Sequence, residues 1–247
     1  TSNPKYEEYI GSMGYQKKQY LGREFDYLAF NCTDAVLQNV EVRQAIQKAI
    51  DKGKIVSSVL EDKAYVANFP LDYGHYLTKD IEWGEVFNQE EANKILKDNE
   101  WKFEYGIWSK IIEGRTRTLN FTITVQEKNE QRVKVAEEIK KQLEAIGMKI
   151  TIRKVSDNEY KRILANHQYE ILLTGVYNGY SPELNSFLEE GNLANYENAE
   201  LTTLLKEVNN ISSEDLQKEV YQKITETWRR EAPYLGLYRN QVIVGYG

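Results

Sequence analysis

Residues 119–180 decide the fold and have the sequence LNFTITVQEKNEQRVKVAEEIKKQLEAIGMKITIRKVSDNEYKRILANHQYEILLTGVYNGY. From Leu119 to Val125, hydrophobic residues alternate with polar ones, which is the pattern of a strand with one buried face. From Arg132 to Ile146 the hydrophobic residues recur every three or four positions, as on one face of a helix. Gly147 suits a helix end because glycine readily adopts the left-handed conformation. The stretch therefore begins with a strand and a helix.

The same alternation continues downstream. Ile150 and Ile152 alternate with polar neighbours and predict a second strand. Ser156 and Glu159 have the spacing of a capping box, which predicts the start of a second helix. The apolar run Tyr169–Thr174 predicts an interior strand. Strands separated by helices favour parallel pairing, and so we predict an α/β protein.

The flanking segments contain further predicted elements. We predict an extended polar edge strand at Tyr15–Gly22 and irregular connections at Glu61–Phe87 and Trp101–Arg117, where no period is sustained. The remaining predicted elements are a strand at Asp26–Cys32, helices at Val42–Asp51, Gln89–Asn99 and Glu200–Val208, a long helix from Ser213, and a strand at Tyr234–Val244. Asn88 is the predicted N-cap of the helix Gln89–Asn99. No repeat or flexible linker divides the chain, and a single domain is the simplest interpretation.

Composition excludes several classes of function. The chain has 247 residues, a net charge of −6 and a pI of about 5.3, which argues against a general nucleic-acid binder. Its longest apolar runs are too short to cross a bilayer. With one cysteine, Cys32, the chain forms no intrachain disulfide.

Catalytic and metal motifs are absent from the sequence. There is no GxGxxG, no phosphate-binding GxxxxGK[ST] and no GxSxG. The two histidines are His75 and His167, and His167 does not share a helical face with Glu170 because a helix gives way to a strand between them. We therefore predict that the protein is not an enzyme and binds neither a metal nor a cofactor.

A polar loop after the last predicted interior strand is the best candidate for a binding surface. Ligands of α/β sheets gather beyond the carboxyl ends of the strands, which directs attention to Gly175–Asn185. Tyrosine, asparagine and serine side chains provide flat aromatic area and hydrogen bonding there. The candidates are Tyr177, Asn178, Tyr180 and Asn185. An ordinary glycine-containing turn is the alternative that composition leaves open.

Several ordered blocks resemble the family 5 extracellular solute-binding proteins, the oligopeptide-, dipeptide- and nickel-binding receptors of bacterial ABC importers. The resemblance covers nearly the whole chain. The blocks that carry it are Tyr27–Asn31, Val42–Ile46 with Ala49–Asp51 and Ile55–Val56, Asn88–Trp101, Ala136–Ile152, Tyr169–Gly175, Asn195–Asn198, Ala232–Pro233 and Leu237–Tyr238.

This resemblance implies a periplasmic-binding-protein-like (type II) lobe with a mixed, mainly parallel sheet flanked by helices. Family members have two lobes and are roughly twice this size. Residues 1–247 would then be the C-terminal lobe, with residues 1–26 leading in from the hinge side and the N-terminal lobe absent. We expect the whole protein to lie at the extracellular face of the membrane or in the periplasm, lipid-anchored through an upstream segment.

The resemblance further implies capture of a peptide-like or other small solute, by closure of two lobes, for delivery to ABC permease subunits. The family's ligand-binding acid falls at Gly179 and its tryptophan at Val176, and these departures favour the receptor class over a standard peptide site. Asn31, at the end of the first matching block, joins Gly179 and the loop residues as a site candidate. The alternative is the solute-sensing domain of a transcription regulator, in which the same fold is also found.

Overall fold

The computed structural model describes residues 10–84, 86–179, 184–208 and 210–246. Its strands are β1 Gln16–Phe30, β2 Ala64–Val66, β3 Lys102–Glu104, β4 Ile107–Ile112, β5 Arg115–Thr118, β6 Asn120–Gln126, β7 Lys149–Val155, β8 Ile171–Tyr177 and β9 Tyr234–Tyr246. Its helices are α1 Val40–Ala49, α2 Lys52–Lys54, α3 Gln89–Asp98, α4 Glu130–Ala145, α5 Asp157–Ala165, α6 Asn185–Leu188, α7 Ala199–Val208 and α8 Glu214–Glu231. A π-helical turn, Ile55–Val59, continues α2.

The central sheet has six strands in the order β2-β9-β1-β8-β6-β7. Strand β6 pairs in parallel with β7 and β8, whereas β1 pairs antiparallel with β8 and β9, and β2 antiparallel with β9. The prediction of a mixed α/β sheet flanked by helices is confirmed. The expectation that parallel pairing predominates is wrong, because the predicted strand–helix alternation covers only β6, β7 and β8.

The alternating segment from β6 to β8 forms as predicted. Asn129 caps α4 by accepting a hydrogen bond from the backbone N–H of Arg132 at 3.0 Å. Ser156 likewise accepts one from the N–H of Glu159 at 3.4 Å and caps α5. The carboxylate of Glu159 binds Arg153 at 2.5 Å, and so only the serine half of the capping box is used. These caps place both helix N-termini at the carboxyl edge of the parallel strands.

The two faces of the sheet bury two hydrophobic clusters. The first core cluster includes Leu28, Val42, Ile123, Ile139 and Leu237. The second core cluster includes Phe25, Tyr160, Phe187, Ile224 and Trp228. Strand β1 contributes alternate residues to each cluster, because successive side chains of a strand point to opposite faces.

Residues 101–117 are not irregular, which corrects the sequence-based expectation. They contain β3 and β4 and the start of β5, which pair antiparallel in a separate sheet. The links are Tyr105-Gly106 and Glu113-Gly114, and all four residues have positive φ. Two-residue links of this kind turn a chain tightly between antiparallel strands. Such strands are too short for a period to show.

The first and last strands form a long two-stranded ribbon. Residues 16–21 pair with residues 241–246, beyond the point where β8 ends on the other side of β1. The predicted edge strand Tyr15–Gly22 is therefore the first half of β1 and not a separate element. Most of this half is exposed, including Tyr20 and Leu21.

Candidate functional site

The carboxyl ends of β6 and β7 open onto a cavity of about 810 Å³. This volume lies in the range of small-ligand sites, about 300–1,000 Å³. One wall comes from the loop after β6 and the start of α4, and the other from β1 and β9 at the base of the ribbon. Its polar lining includes Glu24, Asp26, Gln126, Glu130, Gln131 and Asn240. Val59 and Leu60 add apolar surface.

A buried ion pair forms the floor between β1 and α4. Arg132 donates from Nε to Oδ2 of Asp26 and from Nη2 to Oδ1, both at 2.9 Å. Nη2 of Arg132 also donates to Oε1 of Glu24 at 3.2 Å. Asp26 is 1% exposed and Arg132 is 7% exposed, whereas the Glu24 side chain is 38% exposed. Two carboxylates therefore share one guanidinium, and only Glu24 is open to solvent.

The pKa of Arg132 reflects this arrangement. Burial lowers it, but the hydrogen bonds to Asp26 and the negative charges of Asp26 and Glu24 raise it by more, so that the pKa lies above its ordinary value. Arg132 is thus cationic at every accessible pH. The neighbouring Tyr238 is fully buried, and burial together with the Asp26 charge raises its pKa well above the ordinary value.

Gly175 makes room for the ion pair. It lies opposite Asp26 in the β1–β8 register. A Cβ at this position would overlap Oδ1 of Asp26 and Nη2 of Arg132. A glycine is required because the ion pair crosses directly over β8. Gly175 is the last residue of the block Tyr169–Gly175 that resembles the family, and the space that the ion pair needs explains why this residue is glycine.

A second buried pair holds a loop against the end of β8. Nε of Arg239 lies 3.2 Å from Oδ1 of Asp72, and the guanidinium lies over the rings of Phe25 and Tyr73 at about 5 Å. Arg239 also donates to the carbonyl of Pro70. The segment around Pro70 is thereby fixed beside the last residues of β8.

The structure brings together three predicted site residues, Tyr177, Asn178 and Gly179. Tyr177 is the last residue of β8, so the strand extends two residues beyond Gly175, where the loop was predicted to begin. Its side chain is 74% exposed. Asn178 donates from its backbone to the carbonyl of Arg23 at 3.0 Å and from its side chain to the carbonyl of Pro70. Gly179 is exposed, and its carbonyl accepts a 3.5 Å hydrogen bond from the Tyr73 hydroxyl.

The other predicted site residues are placed differently. Asn31 follows the opposite end of β1, near the start of β8, about 20 Å from Tyr177 at the usual rise per residue. Its amide donates to the carbonyl of Tyr169 at 3.0 Å and accepts from Asn195. The structure therefore separates Asn31 from the other candidates. Asn185 is the exposed first residue of α6, and Tyr180 lies outside the described residues.

Sequence reasoning missed Glu24, Asp26, Arg132 and Asn240. Each lies on a strand or helix that the sequence analysis identified at least in part, but nothing in the local pattern shows that they meet. Arg132 lies at the start of the predicted helix, and Asp26 is the acidic first residue of the predicted strand Asp26–Cys32. Their proximity depends on strand order and register.

In the part of the chain that the structure describes, no three or more His, Cys, Asp or Glu side chains cluster in a way that could hold a metal ion. No helix in those ranges has the length and apolar character to span a membrane.

The fold belongs to the class of periplasmic-binding-protein-like α/β structures. The oligopeptide-binding protein AppA from Bacillus subtilis, solved with a nonapeptide, superimposes with a TM-score of 0.85 over 96% of this chain, at 23% identity. NikZ from Campylobacter jejuni, solved with Ni(L-His), superimposes with a TM-score of 0.81 over 100% of this chain, at 19% identity. These two similarities show the fold.

Sequence comparison shows the family. Residues 2–196 match the family model of the bacterial extracellular solute-binding proteins, family 5, and the chain belongs to that family. It is 25% identical over 233 residues to the oligopeptide-binding protein AppA of Bacillus subtilis (strain 168), covering 88% of this chain. The comparisons give no support to a transcription regulator.

The chain spans about half the length of these relatives or less. It covers 42% of the curated AppA sequence, 49% of the solved AppA chain and 55% of the solved NikZ chain. The resemblance to the family of solute-binding receptors is confirmed.

Proposed function

We propose that this chain is the ligand-binding C-terminal lobe of an ABC-importer receptor, which captures a peptide-like or other small solute by closing two lobes over it. The observation that carries the proposal is the cavity at the carboxyl edge of the parallel strands, beside the base of the β1–β9 ribbon. An open concave wall of this size, formed by a rigid sheet edge, suits a solute that a second wall covers.

The ribbon supports a two-lobed arrangement. Both of its strands run past the sheet and carry exposed hydrophobic side chains, including Tyr20, Leu21, Val244 and Tyr246. An antiparallel pair of strands that extends beyond the core of its own lobe is suited to connecting that lobe to a second one. We propose that residues 1–26 lead in from this hinge side and that residues 16–21 and 241–246 connect the two lobes.

The ligand wall is proposed to include Tyr177, Asn178 and Gly179, with Tyr180 and Asn185 further along the same segment. Tyr177 offers an exposed aromatic ring, and the backbone at 178–179 is held by Arg23 and Tyr73. Aromatic area with fixed polar groups suits a peptide-like solute. The naming of AppA as oligopeptide-binding agrees with this class. We propose that the protein binds its solute without making or breaking covalent bonds.

Partners and location follow the same proposal. We propose that the whole protein works at the extracellular face of the membrane or in the periplasm, anchored by lipid, and delivers its solute to ABC permease subunits. Globomycin sensitivity of the full-length protein in cells would test the lipid anchor. If globomycin does not change the processing of the protein, the proposed lipid anchor is wrong.

Calorimetry tests the receptor proposal directly. A pooled tetrapeptide library and its best-bound member are titrated into the full-length protein and into residues 1–247. We expect the shorter chain to bind at least about 100-fold more weakly, because half of the wall is missing. Far-UV circular dichroism and thermal unfolding of residues 1–247 serve as the folding control. Equal affinity for the two proteins contradicts closure of two lobes.

A further inference from the structure

Charge is not balanced on the cavity wall. Arg132 carries one positive charge, while its two partners, Asp26 and Glu24, carry two negative charges. Asp26 uses both oxygens on Arg132 and is buried, and so the excess negative charge lies at the exposed carboxylate of Glu24.

The other charged groups of the wall do not cancel this excess. Their arrangement is Glu61 with Lys63 at 3.0 Å, Asp157 with Lys128 at 2.8 Å, and Glu130 with Lys134 one helical turn further along α4. These three acids and three lysines balance in number, and so the excess negative charge of the buried ion pair remains on the wall. Glu24 and Asp26 share a single cation, Arg132, and Glu24 is the exposed member of the two acids.

Glu24 is held in position on both oxygens. Oε1 accepts from Arg132 at 3.2 Å, and Oε2 accepts from the side-chain amide of Asn240 at 3.3 Å. Asn240 is fixed in turn by Gln131, whose amide donates to its Oδ1 at 2.7 Å. A carboxylate held from two sides loses little conformational freedom when it binds a further group.

An exposed aromatic residue lies opposite Glu24 in the sheet. Tyr177 lies directly opposite Glu24 in the β1–β8 register, and residues in such pairs have Cβ atoms about 4.5–5.5 Å apart on the same face. Asp26 and Gly175 are the next opposed pair on that face, which places Tyr177 beside the ion pair. A carboxylate next to an aromatic face attracts a cation by charge and by the ring quadrupole.

We infer that Glu24 and Tyr177 form a subsite for a cationic group of the ligand, an ammonium or guanidinium. The cation would approach over the Tyr177 ring and donate to the Glu24 carboxylate at the cavity edge. This inference rests on the proposed solute-binding function. Glu24 would supply a carboxylate from β1, whereas the neighbouring segment after β8 has glycine at position 179.

The test compares free and blocked amino groups. The full-length protein is equilibrated with pooled tetrapeptides bearing free amino termini and with the same pool N-acetylated, and retained peptides are quantified by mass spectrometry. We expect at least about tenfold preference for free termini in the wild type and loss of that preference in Glu24→Gln. Tyr177→Phe should retain the preference and Tyr177→Leu should reduce it about threefold. Glu91→Gln, on α3, is the control for removing a carboxylate elsewhere.

A second probe separates this inference from the proposed function. Butylamine and agmatine are titrated into the wild type and Glu24→Gln by calorimetry, with thermal unfolding confirming that the variant is folded. Peptide binding without a free-terminus preference, or a preference that survives in Glu24→Gln, overturns the subsite and leaves the receptor function standing. Amine binding that depends on Glu24, without peptide binding, supports the subsite and overturns the peptide-like solute. Binding of neither kind of probe overturns both.

Discussion

Lys52 carries its ammonium group into the interior and is only 8% exposed. Its Nζ donates to the side-chain carbonyl of Asn68. Burial lowers the pKa of Lys52 to about 8, an effect that the Asp72 carboxylate opposes and that Arg229 adds to. The same Asp72 binds Arg239, and so Lys52 belongs to the charged layer that holds the loop beside β8.

This lowered pKa makes stability depend on pH. Between pH 8 and about 10.4, the unfolded chain retains a proton on Lys52 that the folded protein has released, and so the free energy of unfolding rises with pH across this window. We expect the wild type to gain about 2 kcal/mol relative to Lys52→Met between pH 8 and pH 10. Urea unfolding at the two pH values measures this difference.

Comparison with the variant cancels the titration of other groups, including the tyrosines. Lys97→Met is the matched control, because Lys97 is exposed on α3 and the substitution is the same. A difference between the wild type and Lys52→Met that does not change with pH would show that Lys52 has an ordinary pKa in the folded protein.

At the scale of elements, α3 shows how far local sequence reasoning reaches. Asn88 was predicted as its N-cap, and the prediction is confirmed: Oδ1 of Asn88 accepts from the backbone N–H of Glu91 at 2.9 Å. The backbone N–H of Asn88 also donates to the carbonyl of Lys48 at 2.8 Å, which joins α3 to α1. The side-chain cap and the hydrogen bond to α1 therefore both fix the start of α3 at Asn88.

Removal of the cap should destabilise the protein by about 1 kcal/mol, since one helix N–H loses its partner. We expect this loss for Asn88→Ala in chemical unfolding. Asn88→Asp keeps an acceptor oxygen and should remain close to the wild type. Equal losses for the two variants would show that the cap hydrogen bond contributes nothing and that the amide matters for another reason.

At the scale of the whole molecule, one sheet separates two cores. Leu28 lies in the first core cluster and Ile224 in the second, and both are 0% exposed. Strand β1 belongs to both clusters, and so loss of either cluster removes support from the strand that the other needs. We predict that the chain unfolds as one cooperative unit.

Leu28→Ala and Ile224→Ala test this cooperativity. Each should lower the free energy of unfolding by about 2–5 kcal/mol, because each leaves a buried cavity. Amide hydrogen exchange should accelerate equally in α4 and α8 for both variants. Acceleration confined to the helix on the mutated side would show that the two clusters open separately.

The sequence by itself determined the β6–α4–β7–α5–β8 segment and most of the helices, because hydrophobic period and capping residues act within a few positions of the chain. It also placed Tyr177, Asn178 and Gly179 near the carboxyl end of an interior strand. It did not reveal β3, β4 and β5, whose turns rely on positive φ at Tyr105 and Glu113, residue types that give little turn signal.

Only the tertiary structure decided what surrounds that strand end. The antiparallel placement of β1 between β8 and β9 sets Glu24 opposite Tyr177 and sends Asn31 to the far end of the sheet. Arg132 reaches Asp26 across 106 positions of the chain. Contacts of this kind depend on strand order and register, which arise from packing of the whole chain and leave no local period in the sequence.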